Sequence, residues 1–211
     1  MFIVFEGIDG TGKTTQARML AGVIKGSYLT AEPTTGPIGK LIRERLYSGQ
    51  TDMHVMRRLF AADRHEHVNT VINPVQDEGG VVVSDRYLLS SLAYQSGPLG
   101  TKSQLNDILR INEQGKSLPK PDLTVFLDMV PERLTERLAA RGRKLDSFET
   151  LEHLTAVRKR YRESLNRVRS LGWAVEEVSS DGTIEYVHSR VLQVVSDRLG
   201  ECLGDRLLLD G

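Results

Sequence analysis

The sequence predicts an α/β fold in which a five-stranded parallel sheet carries helices on both faces. Two observations predict it. Short apolar runs rich in β-forming residues alternate with longer segments of helical periodicity along the 211 residues. A glycine-rich turn also joins the first apolar run directly to the first helical segment. A chain of this length can form one sizeable core, so we expect a single domain over residues 1–211.

The first predicted strand is residues 1–6, an apolar run that Gly7 closes. A short continuous apolar run of this kind is typical of a strand buried on both faces of a parallel sheet. Later parts of the chain contain similar runs. They are 81–85, 123–128 and 173–178, with a weaker candidate at 27–31.

Helical periodicity fills the segments between and after these runs. The predicted helices are 13–25, 38–47, 53–76, 88–95, 103–112, 131–141, 148–171 and 183–199. Strands that alternate with helices favour a parallel sheet with both faces covered. The last residues, 203–211, are expected either to fray or to dock on the body.

Composition excludes several classes of protein. The 28 basic and 28 acidic residues cancel, so no global positive field favours nucleic acid or an anionic membrane as a partner. Cys202 is the single cysteine, which excludes an internal disulfide and a multi-cysteine metal site. No stretch reaches the roughly 18 to 20 apolar residues of a membrane span, so we expect no membrane partner and a cytoplasmic location.

The glycine-rich turn at 7–14 matches the phosphate-binding pattern G-x-x-x-x-G-K-S/T in full, between a strand and a helix. Its glycines let successive amides point at phosphate oxygens. Lys13 supplies a charge between the β- and γ-phosphates, and Thr14 can bind Mg²⁺. The turn therefore predicts the three-layer P-loop NTPase fold, with ATP and Mg²⁺ as ligands. The expected ATP-binding residues are Gly7, Ile8, Asp9, Gly10, Thr11, Gly12, Lys13, Thr14 and Thr15.

A basic cluster follows the fourth predicted strand. Arg133, Arg137 and Arg141 are spaced four residues apart, which places them on one helical face, and Arg143 comes next. One interpretation is a solvated face. The other is a short basic lid, at about 137–150, that closes over the nucleotide and excludes water. On the second interpretation Arg137, Arg141 and Arg143 are catalytic candidates.

Asp85 and Arg86 end the third strand, at the sheet edge where open α/β sheets bind ligands. Asp85 is expected to hold Mg²⁺ or its water shell together with Thr14, and Arg86 to clamp an acceptor phosphate. The alternative is a buried Asp85–Arg86 ion pair that closes the strand. With Lys13, these two residues complete the catalytic candidates.

Two segments, 5–16 and 85–95, resemble the thymidylate kinase family, whose members phosphorylate dTMP to dTDP. The second segment is the more specific of the two. The resemblance implies that Asp9 accepts a hydrogen bond from the 3′-hydroxyl of the acceptor and that Arg86 holds the acceptor phosphate. It also implies that Tyr94 fills the space of a ribose 2′-hydroxyl, and that the protein forms a homodimer, for which helix 53–76 is our candidate interface.

The segment 59–64 is similar to the family's thymine-recognition helix, in which Phe60 would stack on the base and Arg64 would bind its O4. The alternative for Phe60 is core packing. Glu32-Pro33 matches a family pair, although Ala31 stands where many bacterial members have arginine. The resemblance implies that the dTMP-binding residues are Asp9, Glu32, Pro33, Arg43, Phe60, Arg64, Arg86, Ser90, Ser91, Tyr94 and Gln95.

Two further features of the resemblance concern the donor nucleotide. Gly10 stands where some members carry a P-loop arginine, and the basic cluster resembles the subgroup whose lid supplies that charge. Residues 179–182 resemble the loop that passes the adenine ring.

The alternatives are a kinase of another nucleoside monophosphate and a non-catalytic nucleotide-binding switch. A metal hydrolase built on His65 and His67 is disfavoured, because residues two apart face different sides of a helix.

Overall fold

A computed structural model describes residues 1–96, 101–113, 118–140 and 150–208 of the chain. A five-stranded sheet in the order β2-β3-β1-β4-β5 forms its centre, and every neighbouring pair is parallel. The strands are β1 (Phe2–Glu6), β2 (Ser27–Ala31), β3 (Val81–Asp85), β4 (Leu123–Asp128) and β5 (Val175–Ser179). The predicted sheet is confirmed, including the weaker strand at 27–31. Only β5 differs by more than one residue at an end, because it begins two residues later than predicted.

Helices lie between the strands at the predicted places. They are α1 (Lys13–Val23), α2 (Pro37–Ser48), α3 (Met53–His67), α4 (Asn73–Asp77), α5 (Leu88–Gln95), α6 (Lys102–Glu113), α7 (Pro131–Ala140), α8 (Leu151–Ser170) and α9 (Ile184–Leu203). Several ends differ by a few residues from the prediction. For example, α8 was predicted from residue 148 and begins at Leu151. Thr150 caps it by accepting a hydrogen bond from the His153 amide.

The predicted single helix over 53–76 is wrong in one respect. A π-helical segment, Val68–Ile72, separates α3 from α4. Pro74 has no amide hydrogen for the carbonyl of Thr70, so the α-helical hydrogen-bond ladder cannot continue through this position.

Alternation along β1 builds a core on each face of the sheet. Phe2 and Val4 pack into a cluster with α5, α6 and α8 on one face. Ile3 and Phe5 pack on the other face with α1 and α9. These two clusters give the three predicted layers. The edge strand β2 is less buried than β1, and its residues Tyr28 and Leu29 are exposed.

The described residues after α9, 204–208, dock on the body, and residues 209–211 of the predicted segment lie outside the described residues. The amide of Leu208 donates to the Val23 carbonyl at 2.8 Å, and the Lys25 amide donates to the Arg206 carbonyl at 2.8 Å. The guanidinium of Arg206 reaches the Gly79 carbonyl at 2.6 Å. The helices of the described ranges include none with the length and apolar character that crossing a membrane requires.

Parallel pairing brings the carboxyl ends of the central strands to one edge. Phe5 of β1 lies opposite Asp85 of β3, and Glu6 lies opposite Phe126 of β4. The glycine-rich turn after β1 therefore meets the segment 85–87 and the residues that follow β4. This edge is where open α/β sheets bind ligands.

Candidate active site

The turn between β1 and α1 has the backbone of a phosphate loop. Gly7 has φ 146°, and a Cβ built on it would lie 2.4 Å from the Leu127 carbonyl oxygen. Gly10 has φ 87°, and a Cβ there would lie 2.9 Å from a methyl group of Leu134. Side chains are excluded at both positions by conformation and by space, so the amides of the turn stay accessible to a ligand.

The ammonium group of Lys13 is folded over this turn. Its Nζ donates to the Ile8 carbonyl at 2.9 Å and lies 3.8 Å from an Asp9 carboxylate oxygen. Burial, with the nearby charge of Arg86, lowers the pKa of Lys13 to about 8. An anion bound at the turn would stabilise the charged form, which is the electrostatic property that a phosphate site needs.

Thr14 and Asp85, the predicted metal pair, are in contact. The Thr14 hydroxyl donates to Asp85 Oδ2. Asp85 Oδ1 is buried and has no hydrogen-bond partner among the described residues. A hydroxyl and a carboxylate are the hard oxygen ligands that Mg²⁺ takes, and a cation would satisfy the unpaired oxygen. These residues therefore fit a divalent cation, and their role in binding it stays a prediction.

Arg86 lies beside the turn in a backbone conformation that is uncommon for a non-glycine residue, with φ 78°. Its guanidinium donates to Asp9 and to the Ser90 hydroxyl, the latter at 3.1 Å, and lies over the Tyr94 ring at 5.4 Å. The carboxylate partner of Arg86 is Asp9, so the alternative Asp85–Arg86 ion pair is wrong. The guanidinium is thus held in one orientation, and its contact with an acceptor phosphate stays a prediction.

Asp9 links the turn to α5. Besides the bond from Arg86, its Oδ2 accepts a hydrogen bond from the Tyr94 hydroxyl at 2.7 Å. Burial alone would raise the pKa of Asp9, but the charges of Arg86 and Lys13 outweigh it and hold this pKa well below its usual range. The carboxylate is therefore ionised. It is also partly exposed, so it can accept a further hydrogen bond.

Glu6 is a central residue of the site that the sequence analysis did not single out. It is wholly buried and accepts hydrogen bonds from the Tyr87 and Ser90 amides, at 2.8 and 3.1 Å. The hydroxyls of Ser90 and Tyr161 bond its other oxygen, at 2.6 and 3.0 Å. The available signal was a carboxylate inside an apolar run, since a buried charge requires partners.

Arg64 is buried inside a polar network instead of being open to solvent, with 1% of its surface exposed. It donates to Glu32 Oε2 at 2.9 Å and to Asn112 Oδ1 at 2.6 Å. It also donates to the Tyr87 carbonyl at 3.1 Å and to the Ser91 hydroxyl at 2.9 Å. Within the described part of the chain these bonds leave one Nη1 hydrogen unused. The base contact predicted for Arg64 would rest on that hydrogen.

The other base-side candidates lie near Arg64 along α3 and α5. Phe60 is half-buried, one turn before Arg64, which leaves both stacking and core packing open to it. Gln95 is 4% exposed, and its Oε1 has no donor among the residues that the structure describes. A buried amide oxygen of this kind is suited to a ligand N–H.

The loop after β2 contains the remaining acceptor candidates. Glu32 is 5% exposed and bonds His67 as well as Arg64, and the peptide bond to Pro33 is cis. Arg43 donates to the Pro33 carbonyl at 2.7 Å and to the Thr34 carbonyl. In this structure Arg43 therefore stabilises the loop, and its contact with an acceptor phosphate stays a prediction.

The basic face of α7 lies against the loop after β5. Arg137 donates to the carbonyls of Ser180 and Gly182, at 2.8 and 3.0 Å. Arg133 lies 3.5 Å from Glu136 and from Asp181. These charges thus have protein acceptors in the absence of an anion. Arg141, Arg143 and the residues 141–149 of the predicted lid lie outside the described residues.

A cleft of about 540 Å³ opens between α1, β2 and the end of α3. The predicted site residues that line it are Thr14, Pro33 and Asp85, and Arg18 and His67 line it as well. The base-side candidates of α3 and α5 do not line this cleft. It therefore reaches the Thr14–Asp85 pair from the β2 side of the molecule.

The sequence profile of a family described as thymidylate kinase matches residues 5–191 of this chain. A protein of Pyrobaculum calidifontis named probable thymidylate kinase is 44% identical over 176 residues, which cover 83% of this chain and 86% of the relative. A probable thymidylate kinase of Methanococcus aeolicus is 37% identical, with 93% and 96% covered. A thymidylate kinase of Xanthomonas euvesicatoria is 35% identical, with 94% and 86% covered. The glycine-rich turn and the Asp85–Gln95 segment both lie inside residues 5–191, and the chain belongs to the thymidylate kinase family.

Proposed function

We propose that this protein transfers the γ-phosphoryl group of ATP to dTMP and so forms dTDP. Membership of the thymidylate kinase family over residues 5–191 supports an ATP-dependent nucleoside monophosphate kinase. The observation that carries the choice of acceptor is the contact of Asp9, in the phosphate-binding turn, with both Arg86 and Tyr94. On this proposal one ionised carboxylate joins the donor subsite to the acceptor subsite.

The acceptor phosphate needs positioning more than activation. The second pKa of a phosphate monoester is about 6, so the attacking oxygen is already ionised near neutral pH and needs no strong base. Arg86 offers a planar pair of N–H donors that fits phosphate oxygens. Asp85 then serves as a ligand or orienting group instead of a general base.

The donor phosphates would lie on the turn amides, with Lys13 beside them. Mg²⁺, when bound, would supply positive charge that offsets the charge developing on the transferring phosphoryl group. Thr14 and Asp85 are the residues proposed to hold it, because they place a hydroxyl and an unpaired carboxylate oxygen together.

The sugar and base of the acceptor would contact α3 and α5. Asp9 would accept a hydrogen bond from the 3′-hydroxyl. Tyr94, which bonds Asp9, would fill the space that a ribose 2′-hydroxyl needs. Arg64, with one free hydrogen, and Gln95, with an unpaired oxygen, are complementary to the O4 acceptor and the N3–H donor of thymine. Phe60 would stack on the ring.

The basic segment that follows β4 is proposed to supply positive charge to the transferring group. The side chains of Leu134 and Leu138 occupy the space beside Gly10, so a P-loop arginine would not fit there without their displacement. Arg137, Arg141 and Arg143 are the residues proposed to supply this charge instead.

A homodimer is part of the proposal. Apolar side chains on the flank formed by α2 and α3 are exposed, among them Leu41, Tyr47, Met53 and Val55. Patches of exposed apolar residues are typical of interfaces. Light scattering of the purified protein tests this, since a monomeric mass would contradict it.

ATP consumption in the presence of Mg²⁺ tests the proposed reaction, with dTMP, dUMP, dCMP and dGMP assayed separately. We expect kcat/KM to be highest for dTMP. A higher kcat/KM for another monophosphate would show that the protein is a kinase of that nucleotide. The absence of turnover with every acceptor would favour the alternative of a non-catalytic nucleotide-binding switch.

A further inference from the structure

Glu6 has no role in the reaction as proposed above, although it lies between both substrate subsites. It is the last residue of β1, and the phosphate-binding turn begins at the next residue, Gly7. Its carboxylate is wholly buried. Burying a carboxylate is costly unless several donors compensate for the lost water, so the arrangement of its donors is informative.

One oxygen of Glu6 caps the helix that carries the acceptor candidates. Glu6 Oε1 accepts from the amides of Tyr87 and Ser90, at 2.8 and 3.1 Å, and Tyr87 itself provides no side-chain cap to α5. At the opposite end of α5, Arg57 donates to the Gln95 carbonyl at 2.7 Å, and Arg160 donates to the Ala93 carbonyl at 2.6 Å. The helix is thereby fixed at both ends.

The other oxygen of Glu6 determines the direction of the Ser90 hydroxyl. Ser90 Oγ lies 2.6 Å from Glu6 Oε2 and 3.1 Å from Arg86 Nη1. A hydroxyl has one hydrogen to donate, and a carboxylate only accepts. When Ser90 donates to Glu6, its lone pair faces the guanidinium of Arg86 and holds it in place.

We propose that Glu6 is a positioning residue for the acceptor phosphate. Glu6 accepts the Ser90 hydrogen, so a lone pair of Ser90 Oγ faces Arg86 and keeps the guanidinium in the orientation that binds the phosphate. This inference rests on the proposed function, because it assumes that Arg86 holds the phosphate of dTMP. It adds a residue that touches no substrate and acts through Ser90.

Glu6→Gln isolates this effect because it changes polarity with little change in shape. The amide oxygen can still accept the two backbone N–H groups. The new NH₂ group faces the hydroxyls of Ser90 and Tyr161, so the Ser90 hydrogen loses its carboxylate acceptor and has to turn either to the Tyr161 hydroxyl, 2.9 Å away, or towards Arg86, where two donors meet. Glu6 then no longer fixes the direction of the Ser90 lone pair that Arg86 uses, while Arg86 keeps its bond to Asp9 and α5 keeps its cap.

The decisive experiment compares the binding of dTMP and thymidine, since thymidine has the same sugar and base but no phosphate. We expect Glu6→Gln to weaken the binding of dTMP by about tenfold, which is the scale of one misaligned hydrogen bond to a charged group. The binding of thymidine should weaken by less than about twofold. Titration calorimetry measures both affinities, and circular dichroism with thermal unfolding verifies the fold.

Tyr161→Phe is the matched control, because the Tyr161 hydroxyl donates to Glu6 and lies 2.9 Å from Ser90 Oγ, whereas the described hydrogen bonds of the Arg86 guanidinium go to Asp9 and Ser90. This variant removes one hydroxyl from the same carboxylate but leaves both the Ser90–Glu6 and the Ser90–Arg86 bonds, so dTMP affinity should stay within about threefold. In addition, Glu6→Gln should have no further effect on dTMP affinity in a Ser90→Ala background.

Equal weakening of dTMP and thymidine by Glu6→Gln would overturn the inference, since Glu6 would then only support α5. Unchanged affinity for both would overturn it as well. If Glu6→Gln does not fold, Ser90→Ala carries the test, because it removes the hydroxyl that transmits the effect; selective loss of dTMP supports the inference, and any other result overturns it. Failure of the wild-type protein to phosphorylate dTMP would instead overturn the proposed function.

Discussion

Two groups of arginines in this protein are expected to meet phosphate, and the structure holds them differently. Arg86, after β3, has a side chain that is 20% exposed, with Asp9, Ser90 and the Tyr94 ring around it. Arg133, on α7, is 58% exposed and lies 3.5 Å from the carboxylates of Glu136 and Asp181. The first is held by three partners on different sides of its guanidinium, and the second is a surface charge.

This difference indicates how each group contributes. A preorganised guanidinium has already lost its side-chain freedom during folding, so its full interaction is available to a bound phosphate. An exposed arginine must be ordered when the ligand binds, and salt screens its charge. We therefore expect substitutions near Arg86 to have larger effects than substitutions on α7.

The largest effect is expected from Lys13→Ala, which removes the ammonium group from the phosphate-binding turn. Phosphoryl transfer should be abolished in a coupled assay, while the far-ultraviolet circular dichroism spectrum is retained. Lys25→Ala, an exposed lysine just beyond α1, is the matched control and should retain activity. Normal turnover by Lys13→Ala would exclude the turn from the mechanism.

Arg86→Ala should lower kcat/KM for dTMP by about 10³-fold, the lower end of the range for arginines in related phosphoryl transfers. Steady-state kinetics at saturating ATP measures it. Arg86→Lys keeps the charge but loses the planar pair of donors, so we expect an intermediate loss. Equal activity of the Lys and wild-type proteins would show that charge alone is sufficient.

Arg64→Ala should raise the KM for dTMP by more than about tenfold and leave the KM for ATP within about twofold, because Arg64 lies on the acceptor side. It should also lower the free energy of unfolding by about 3–5 kcal/mol, since Glu32 would stay buried without this partner. Urea unfolding separates the two effects. Arg58→Ala on the exposed face of α3 is the control, and equal increases in both KM values would contradict base recognition.

On α7, Arg137→Ala should lower kcat by about tenfold and Arg133→Ala by less than about twofold, since exposed ion pairs contribute little. The comparison is sharpened by added KCl, which should reduce the activity of the wild-type protein more than that of Arg137→Ala. A larger loss in Arg133→Ala than in Arg86→Ala would reverse the comparison drawn above.

The smallest effect is a pH dependence of ATP binding. The pKa of Lys13 is lowered to about 8 mainly by burial, so the free protein loses this charge as the pH rises through 8. Bound triphosphate favours the charged form. ATP binding should therefore take up a proton above pH 8, and affinity should fall with rising pH. Calorimetry in buffers of different ionisation enthalpy measures the uptake, which should be missing in Lys13→Met.

The sequence predicted what depends on local spacing. The glycines of residues 7–14 and the apolar runs of the strands are contiguous signals, and the structure has both where they were predicted. The Thr14–Asp85 contact was predictable because parallel strands end at one edge. The π-helical segment was not, because the effect of Pro74 on the preceding turn depends on how α3 packs.

Long-range partners explain the rest of what was missed. Glu6 bonds Tyr161 across 155 residues and Ser90 across 84. Arg64 bonds Asn112 across 48 residues. A sequence motif shows that an arginine or a carboxylate is present, but it does not show which distant residue will neutralise it. The buried state of Arg64 therefore became evident only from the fold.

The docking of residues 206–208 has a consequence for the order of events during biosynthesis. The helix α1 is translated early. Arg206 and Leu208, which bond residues at the carboxyl end of α1, are translated only after all five strands. A nascent chain on the ribosome lacks these bonds. The bonds between residues 206–208 and the end of α1 can therefore form only after all five strands have been synthesised.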